Sequence, residues 1–248
     1  MDTATDAMGV GVGSADGVLA SGVVQRVLRG HSRLLQPSAQ FVMRSAGLRM
    51  QDLTMIGVGI GPGSYTGVRM AVATGKAMAH ALAVPLTTVP TLDAVAVAAA
   101  MGHGQQISSG EDGATDVLVM LFARRHRAYG AWFRFQGGQL VARQDAAVHE
   151  IREWIHGNTL EAKSSPLVVH DLPAGEMSPF QELGDDLCRV VHWRDVSALL
   201  PAALLRLTAS GRYPTFQGDD VHTVEPDYAL PVEAEAKLQA RRAGGERP

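Results

Sequence analysis

Three places in this sequence gather side chains able to do chemistry. The first is MDTAT, residues 1–5, where Asp2 stands with Thr3 and Thr5 beside a glycine-spaced strand. A carboxylate at a strand end can orient a metal-bound water, or it can cap a turn through its own side chain. The second is GIGPGSYTG, residues 59–67. Gly59, Gly61 and Gly63 admit backbone conformations closed to other residues, Pro62 fixes one torsion, and Ser64 and Thr66 are placed to cap a helix. N–H groups at such a helix start can hold an anion. The spacing speaks against a nucleotide loop, because no lysine precedes a serine or threonine after the glycines, and the dinucleotide fingerprint is not met. Lys76 stands well down the helix that follows. The expectation for these residues is therefore a structural corner.

The third place is ARRHRAYG, residues 123–130, where Arg124, Arg125, His126 and Arg127 are followed by Tyr129 and Trp132. Arginines can pair with phosphate and aromatics can stack on bases, so RNA contact is one reading. A charged edge strand is the other. His31 is followed one helical turn later by Leu35, which leaves no two-histidine metal face, so His31 reads as capping or interfacial. Ser64 lies in GPGSY and not in a G-x-S-x-G elbow. No nucleophile–base–acid set emerges, and no catalytic, metal or cofactor residue is assigned.

The elements that must position these residues follow from periodicity. MGVGV, residues 8–12, reads as a strand, with a glycine turn over Gly13–Gly17 and an antiparallel partner over Val18–Val24. Leu35, Ala39, Val42 and Ala46 recur at helical spacing, with Ser32 as cap and Gly47 as stop, and Pro37 is explained either by a place in the first turn or by a later helical start. A strand over Leu53–Ile60 leads through the glycine loop into a helix from Thr66 to Leu82. In that helix Gly67, Ala71, Gly75, Ala79 and Ala83 are four apart, a stripe along which another backbone can approach closely. Glycine in an exposed helix costs about 1 kcal/mol relative to alanine, so Gly75 needs a packing neighbour. That neighbour is either the chain's own sheet, or a partner helix is docked on another face carrying Arg69, Met70, Val72, Ala73 and Met78.

A further helix is expected from Thr91 or Leu92, and a flexible linker over residues 102–116. Beyond it VLVMLFA, AYGAWFRF and QLVA read as strands, with a turn at Gly137–Gly138. AVHEIREWI reads as a helix, PLVVH as a strand, FQELGDDL as a helix, CRVVHW as a strand and SALLPAALLRLTASG as a helix whose start Pro201 can shift. Residues 216–248 form a C-terminal segment and a loose tail. Strand pairs alternating with helices indicate an α/β protein built from two related halves.

Composition narrows the class. Of 248 residues, 46% are hydrophobic and 19% charged, with a net charge of −3 that gives no general pull toward nucleic acid. Cys188 is the single cysteine, which excludes an internal disulfide framework and a cysteine metal cluster. The apolar stretch over residues 71–100 is broken by Lys76, His80, Pro85, Pro90 and Asp93, so it does not read as a membrane span. The start MDTATDAMG has neither a basic leader nor a long apolar run. A soluble, cytoplasmic protein is expected.

MDTAT, HSRLLQP, the long segment GIGPGSYTGVRMAVATGKAMAHALAVPLTTVPTLDAVA and EPDYALP together resemble the TsaB (YeaZ-like) family. The resemblance is strong over residues 1–100 and weak over 115–215. It implies a non-catalytic partner of TsaD in the synthesis of N6-threonylcarbamoyladenosine at position 37 of tRNAs reading codons that begin with A. It implies a two-lobed actin, sugar-kinase and Hsp70-like (ASKHA) fold with ribonuclease-H-like lobes, the first over residues 1–101 and the second over 117–215. The helices after His31 and after Gly67 would pack with helices of TsaD as a bundle. The interface residues carried over are His31, Leu34, Leu35, Ala39, Val42, Gly67, Arg69, Met70, Ala71, Gly75, Met78 and Ala79, with Gly59, Gly61, Pro62, Gly63, Ser64 and Thr66 as the structural loop.

ATP would be handled by partner subunits, among them a TsaE-like ATPase, and tRNA would be met through the complex. The same surface would support a homodimer in the absence of TsaD. Two departures stand out. The family usually carries several apolar residues before D-T-A-T, completing a first strand, whereas Met1 directly precedes Asp2; either the strand is trimmed or a start lies upstream. An aspartate that the family tends to place before A-R is Phe122 in this chain. The alternative function is an active ATP-dependent transferase or peptidase of the same fold.

Overall fold

A computed structural model describes residues 1–26, 30–107, 113–156, 165–181 and 188–228. Small and apolar residues over Ala7–Gly13 form β1, which pairs antiparallel with β2 (Leu19–Arg26) through a tight turn. Helix α1 (His31–Ser45) lies on this hairpin, and its Leu35, Ala39, Val42 and Met43 pack against Met8, Val10 and Val12 of β1. The helix starts at His31 behind Gly30, which takes a left-handed conformation (φ 112°). Ser32 therefore lies inside the first turn and does not cap, and Pro37 sits deeper in the helix than the first turn, on its exposed side. β3 (Ile56–Gly59), α2 (Tyr65–Leu82) and β4 (Leu86–Val89) form a parallel crossover unit.

Helix α3 (Thr91–Ile107) is apolar on every side, and residues 94–99 are all buried. It leads to β5 (Ala114–Phe122), β6 (Arg127–Gln136), β7 (Gln139–Arg143) and β8 (Ala147–Glu150). Then come α4 (Ile151–His156), β9 (Leu167–His170), α5 (Ser178–Gln181), β10 (Arg189–His192) and α6 (Trp193–Val196). Helix α7 (Leu200–Ala209) and a short β11 (Thr215–Phe216) pairing with β4 complete the elements, ahead of a 3-10 turn over Gly218–Thr223. The second sheet runs β10-β9-β5-β6-β7. It is antiparallel across β5, β6 and β7 and parallel across β5, β9 and β10. Helices α3 and α7 fill the space between this sheet and the first strands. One continuous core there joins Ala7, Val89, Leu92, Phe133, Trp193 and Leu204.

Three expectations are corrected. The linker expected over 102–116 is helix to Ile107 and strand from Ala114, while residues 108–112 lie outside the described set. Gly102 survives in the helix because it packs near Leu199 and Val196, and the buried Asp116 belongs to the strand because Arg134 of β6 grips it at 2.7 and 2.8 Å. AVHE is strand and not helix: β7 covers only the far end of β6, so residues 127–130 of β6 pair with β8. Trp193 opens α6 and does not end β10, because the His192 ring nitrogen accepts the Arg194 N–H at the helix start. Of FQELGDDL, only residues 180 and 181 lie within the described α5, since residues 182–187 lie outside the described set. Pro201 is tolerated in the first turn of α7, where its missing N–H breaks no ladder.

Candidate partner-binding face

The glycine corner is built around the backbone of residues 2–5. Asp2 is fully buried: one oxygen accepts the Ala4 N–H at 2.6 Å and the other accepts the Thr91 hydroxyl at 2.7 Å. Thr91 also accepts from the Gly61 N–H, and its own N–H goes to the Gly61 carbonyl. The Ser64 N–H donates to Ala4 and the Thr3 hydroxyl donates to the Gly67 carbonyl. A β-carbon at Gly67 would collide with the Thr3 carbonyl, and one at Gly59 with the Asp2 carboxylate. The loop thus spends these polar groups on its own chain. Ser64 caps α2 at the Gly67 N–H, and Thr66 is exposed. Lys76 donates to the carbonyls of His222 and Val224, tying down the C-terminal segment, and Asp227 hydrogen-bonds back to Ile60. Tyr228 stacks on Tyr65, which Arg69 covers at 4.7 Å.

Helix α2 turns its small-residue stripe inward. Gly67, Ala71, Gly75 and Ala79 are buried, and a β-carbon at Gly75 would sit 3.2 Å from Leu86 and 3.3 Å from Val58. Leu35, Ala39 and Val42 are likewise buried, against β1. These seven residues of the expected interface pack within the chain, because the sheet occupies the side their periodicity marks. Val72 is buried as well, and Met70 and Met78 are partly covered. What remains outward is a second stripe on α1, with Leu34 (36% exposed), Pro37 and Phe41 (54% exposed), and on α2 Arg69, Ala73 and Ala77. Met70 of α2 packs into the α1 cluster, so the two helices are neighbours. The side chain of His31 lies outside the described set. Phe41 was missed in the sequence, although its place seven residues after Leu34 marks one helical face.

The basic segment occupies the β5–β6 turn and not an edge strand. Arg124, Arg125 and His126 all take left-handed conformations (φ 65°, 52° and 59°), and His126 pairs with Glu176 at 2.8 Å. Trp132 is buried under the sheet with Leu118 and Trp154, and Tyr129 is half-buried, so no open aromatic platform accompanies the arginines. Where Phe122 stands, a carboxylate still arrives from the residue that follows β9: Asp171 accepts the Phe122 N–H at 2.6 Å. Burial pushes the Asp171 carboxyl up to about 6, with Asp6 adding to the rise and Arg194 opposing it. Burial, with His192 nearby, pushes the adjacent His170 down to about 4.

These shifts make a prediction. A carboxyl whose folded pKa is raised contributes most at low pH, and that contribution is lost as pH climbs from about 4 through 6. His170 has the opposite sign and recovers over about pH 4 to 6.5. Asp171→Asn keeps an acceptor for Phe122 and removes the buried charge. It is expected to raise stability at pH 7.5 by up to about 3 kcal/mol and to leave a curve that climbs with pH through the His170 window. Thermal unfolding from pH 4 to 8 checks this; an unchanged or lower midpoint at pH 7.5 sinks it.

Among the described residues, no group of three or more His, Cys, Asp or Glu side chains could hold a metal ion, and no helix is long and apolar enough to cross a membrane. The family model described as "TsaD: tRNA N6-adenosine threonylcarbamoyltransferase" matches residues 21–204. The chain belongs to the TsaB/YeaZ-like branch of the TsaD family. This TsaB-like chain is 32% identical over 211 residues to an uncharacterized protein of Mycobacterium tuberculosis, covering 83% of this chain and 90% of that one. With an uncharacterized protein of Mycobacterium leprae it shares 34% identity over 145 residues, 57% of this chain and 36% of that protein. It is 26% identical to the tRNA threonylcarbamoyladenosine biosynthesis protein TsaB of Bacillus subtilis, over 96% of this chain and 95% of the relative. The structure of YeaZ from Pseudomonas aeruginosa superposes with a TM-score of 0.68 at 21% identity, covering 92% of this chain and 96% of that one. The α/β architecture with mixed sheets is thus one that this chain shares with that structure.

Proposed function

We propose that this chain is a non-catalytic scaffold and activator subunit, in two ASKHA lobes, that binds a TsaD-like threonylcarbamoyltransferase in the cytoplasm. In that role it supports threonylcarbamoylation of adenosine 37 in tRNAs reading A-starting codons. The observation that carries the reading is the outward apolar stripe of α1, Leu34–Pro37–Phe41, on a helix whose opposite stripe is already buried. Large apolar side chains exposed together on a soluble protein's helix mark a docking face. The outward face of α2, with Arg69 and Ala73, extends it. A TsaE-like ATPase joins the assembly, ATP is handled by the partners, and tRNA is met through the complex. Without the partner, the same face pairs two copies of this chain.

An enzyme reading finds no support at Asp2, whose carboxylate is fully buried and hydrogen-bonded to Ala4 and Thr91. The test is reconstitution of threonylcarbamoyl transfer to tRNA with a TsaD-like and a TsaE-like subunit, with and without this chain. Transfer is expected to fall to near background when the chain is omitted, and the isolated chain is expected to show no ATP turnover. Unchanged transfer on omission, or turnover by the chain alone, overturns the reading.

A further inference from the structure

Strand β7 is an edge of the second sheet, and β11 is an edge of the sheet that β4 and β3 complete. Between these two edges lies a pocket of about 430 Å³, within the size range of small-molecule sites. One wall is residues 140–143 of β7. The other joins Ile60 and Pro90 to residues 212–214 of the loop between α7 and β11. No residue of α1 or α2 lines it, so it stands apart from the outward stripe of α1 and does not rest on the partner-binding reading.

The chain itself fixes both walls. The Pro214 carbonyl accepts the Thr88 N–H at 3.1 Å and the Tyr213 hydroxyl donates to Asp93 at 2.8 Å, which pins the loop to β4 and α3. Arg212 donates to the Leu140 carbonyl and so ties the same loop to β7. Within β7, Leu140 pairs with Phe135 and Ala142 with Arg134, which leaves Val141 as the extra residue of a bulge. The bulge breaks the alternation of the strand. Four consecutive residues therefore line one pocket, and Val141 is left 54% exposed.

Two guanidiniums line this otherwise mostly apolar pocket, and they differ in what faces them. Arg143 donates to Asp93 at 3.0 Å, on the same oxygen that Tyr213 reaches. Burial raises the Asp93 carboxyl, and Arg143 and Tyr213 oppose that rise. Arg143 also acts on Asp227 of the C-terminal segment. Arg212 has no carboxylate partner among the described residues. Its one side-chain hydrogen bond goes to a carbonyl, and the other donors of its fork are unused. Both guanidiniums act on the Tyr213 phenol, opposing the rise that burial and Asp93 impose on it, so they share one neighbourhood. Asp93 offsets Arg143, which leaves one uncompensated positive charge beside an aromatic ring and apolar walls. A guanidinium fork matches a carboxylate, and a ring face suits a flat apolar group. We propose that this pocket binds a small organic monoanion, an aromatic carboxylate, with its carboxylate on Arg212 beside Arg143 and its body between Val141 and Pro214.

The experiment titrates the full chain with naphthoate, followed by calorimetry and by backbone amide shifts. Naphthoate is expected to bind with a Kd of about 1 mM or below and to move the amides of Val141, Ala142 and Tyr213. Naphthalenemethanol lacks the charge and acetate lacks the body, and each is expected to bind at least about 10-fold more weakly. Naphthyl phosphate is expected to bind no more tightly than naphthoate, because a single positive charge is uncompensated. Arg212→Ala and Val141→Asp are each expected to weaken naphthoate by at least about 10-fold. Both side chains are exposed, so the unfolding midpoint of either variant is expected to stay unchanged. Equal binding of naphthoate and the alcohol, or unchanged affinity in both variants, overturns the proposal. So do shifts centred on Arg124 and Arg125, which would mean general anion attraction. A phosphate ester bound at least about 10-fold tighter would overturn the carboxylate and assign the pocket to a dianion.

Discussion

Phe41→Asp, combined with Leu34→Asp, is expected to weaken binding of a TsaD-like subunit by at least about 100-fold while leaving the thermal unfolding of the chain unchanged. Phe41 is 54% exposed and Leu34 36% exposed, so neither carries much of the fold. In a complex both would be desolvated, and an aspartate in their place would be buried without a partner, a change that costs several kcal/mol. Isothermal calorimetry with the partner, and unfolding of the isolated variant, separate the two effects. Unaltered affinity would remove α1 from the interface. Lost affinity with a lowered Tm would mean that the residues hold the fold and not the partner.

Gly75→Leu is expected to act in the opposite way, lowering stability by about 3 kcal/mol and Tm by about 6 to 12 °C, with affinity of the folded fraction retained. Its β-carbon alone would stand 3.2 Å from Leu86 and 3.3 Å from Val58, and both neighbours are fully buried. Three further heavy atoms have nowhere to go in a core packed at crystal-like density. Denaturant unfolding measures the loss, and calorimetry on the folded protein measures affinity. A variant of unchanged stability that no longer binds would place the small-residue stripe of α2 at the interface after all.

The glycine corner was legible from the residues because its requirement is local. Gly61 takes a positive φ of 102°, Gly67 lies against a neighbouring carbonyl, and Ser64 caps the helix that follows. Such demands are set by backbone sterics and appear directly as residue type. Most strands and helices were legible for the same reason, through period and turn chemistry. AVHE was misread because its strand state depends on an edge of β6 left open by β7, a fact outside its own segment. The polar stretch around Gly102 and Asp116 was misread as a linker because Arg134 and Leu199, which make helix and strand tolerable there, come later in the chain.

By itself, then, the sequence determined the α/β order, the corner at Gly59–Gly67 and a helix α1 with an apolar stripe at Leu35, Ala39 and Val42. Only the tertiary structure decided that this stripe is core and that a second one faces outward. Leu35, Ala39 and Val42 meet Met8, Val10 and Val12, and this leaves Leu34, Pro37 and Phe41 outward. It also decided the work of Asp2, whose partner Thr91 lies 89 residues away. Periodicity reports that a face is apolar, but burial is a property of what lies opposite, and that is supplied by distant residues brought together in the fold.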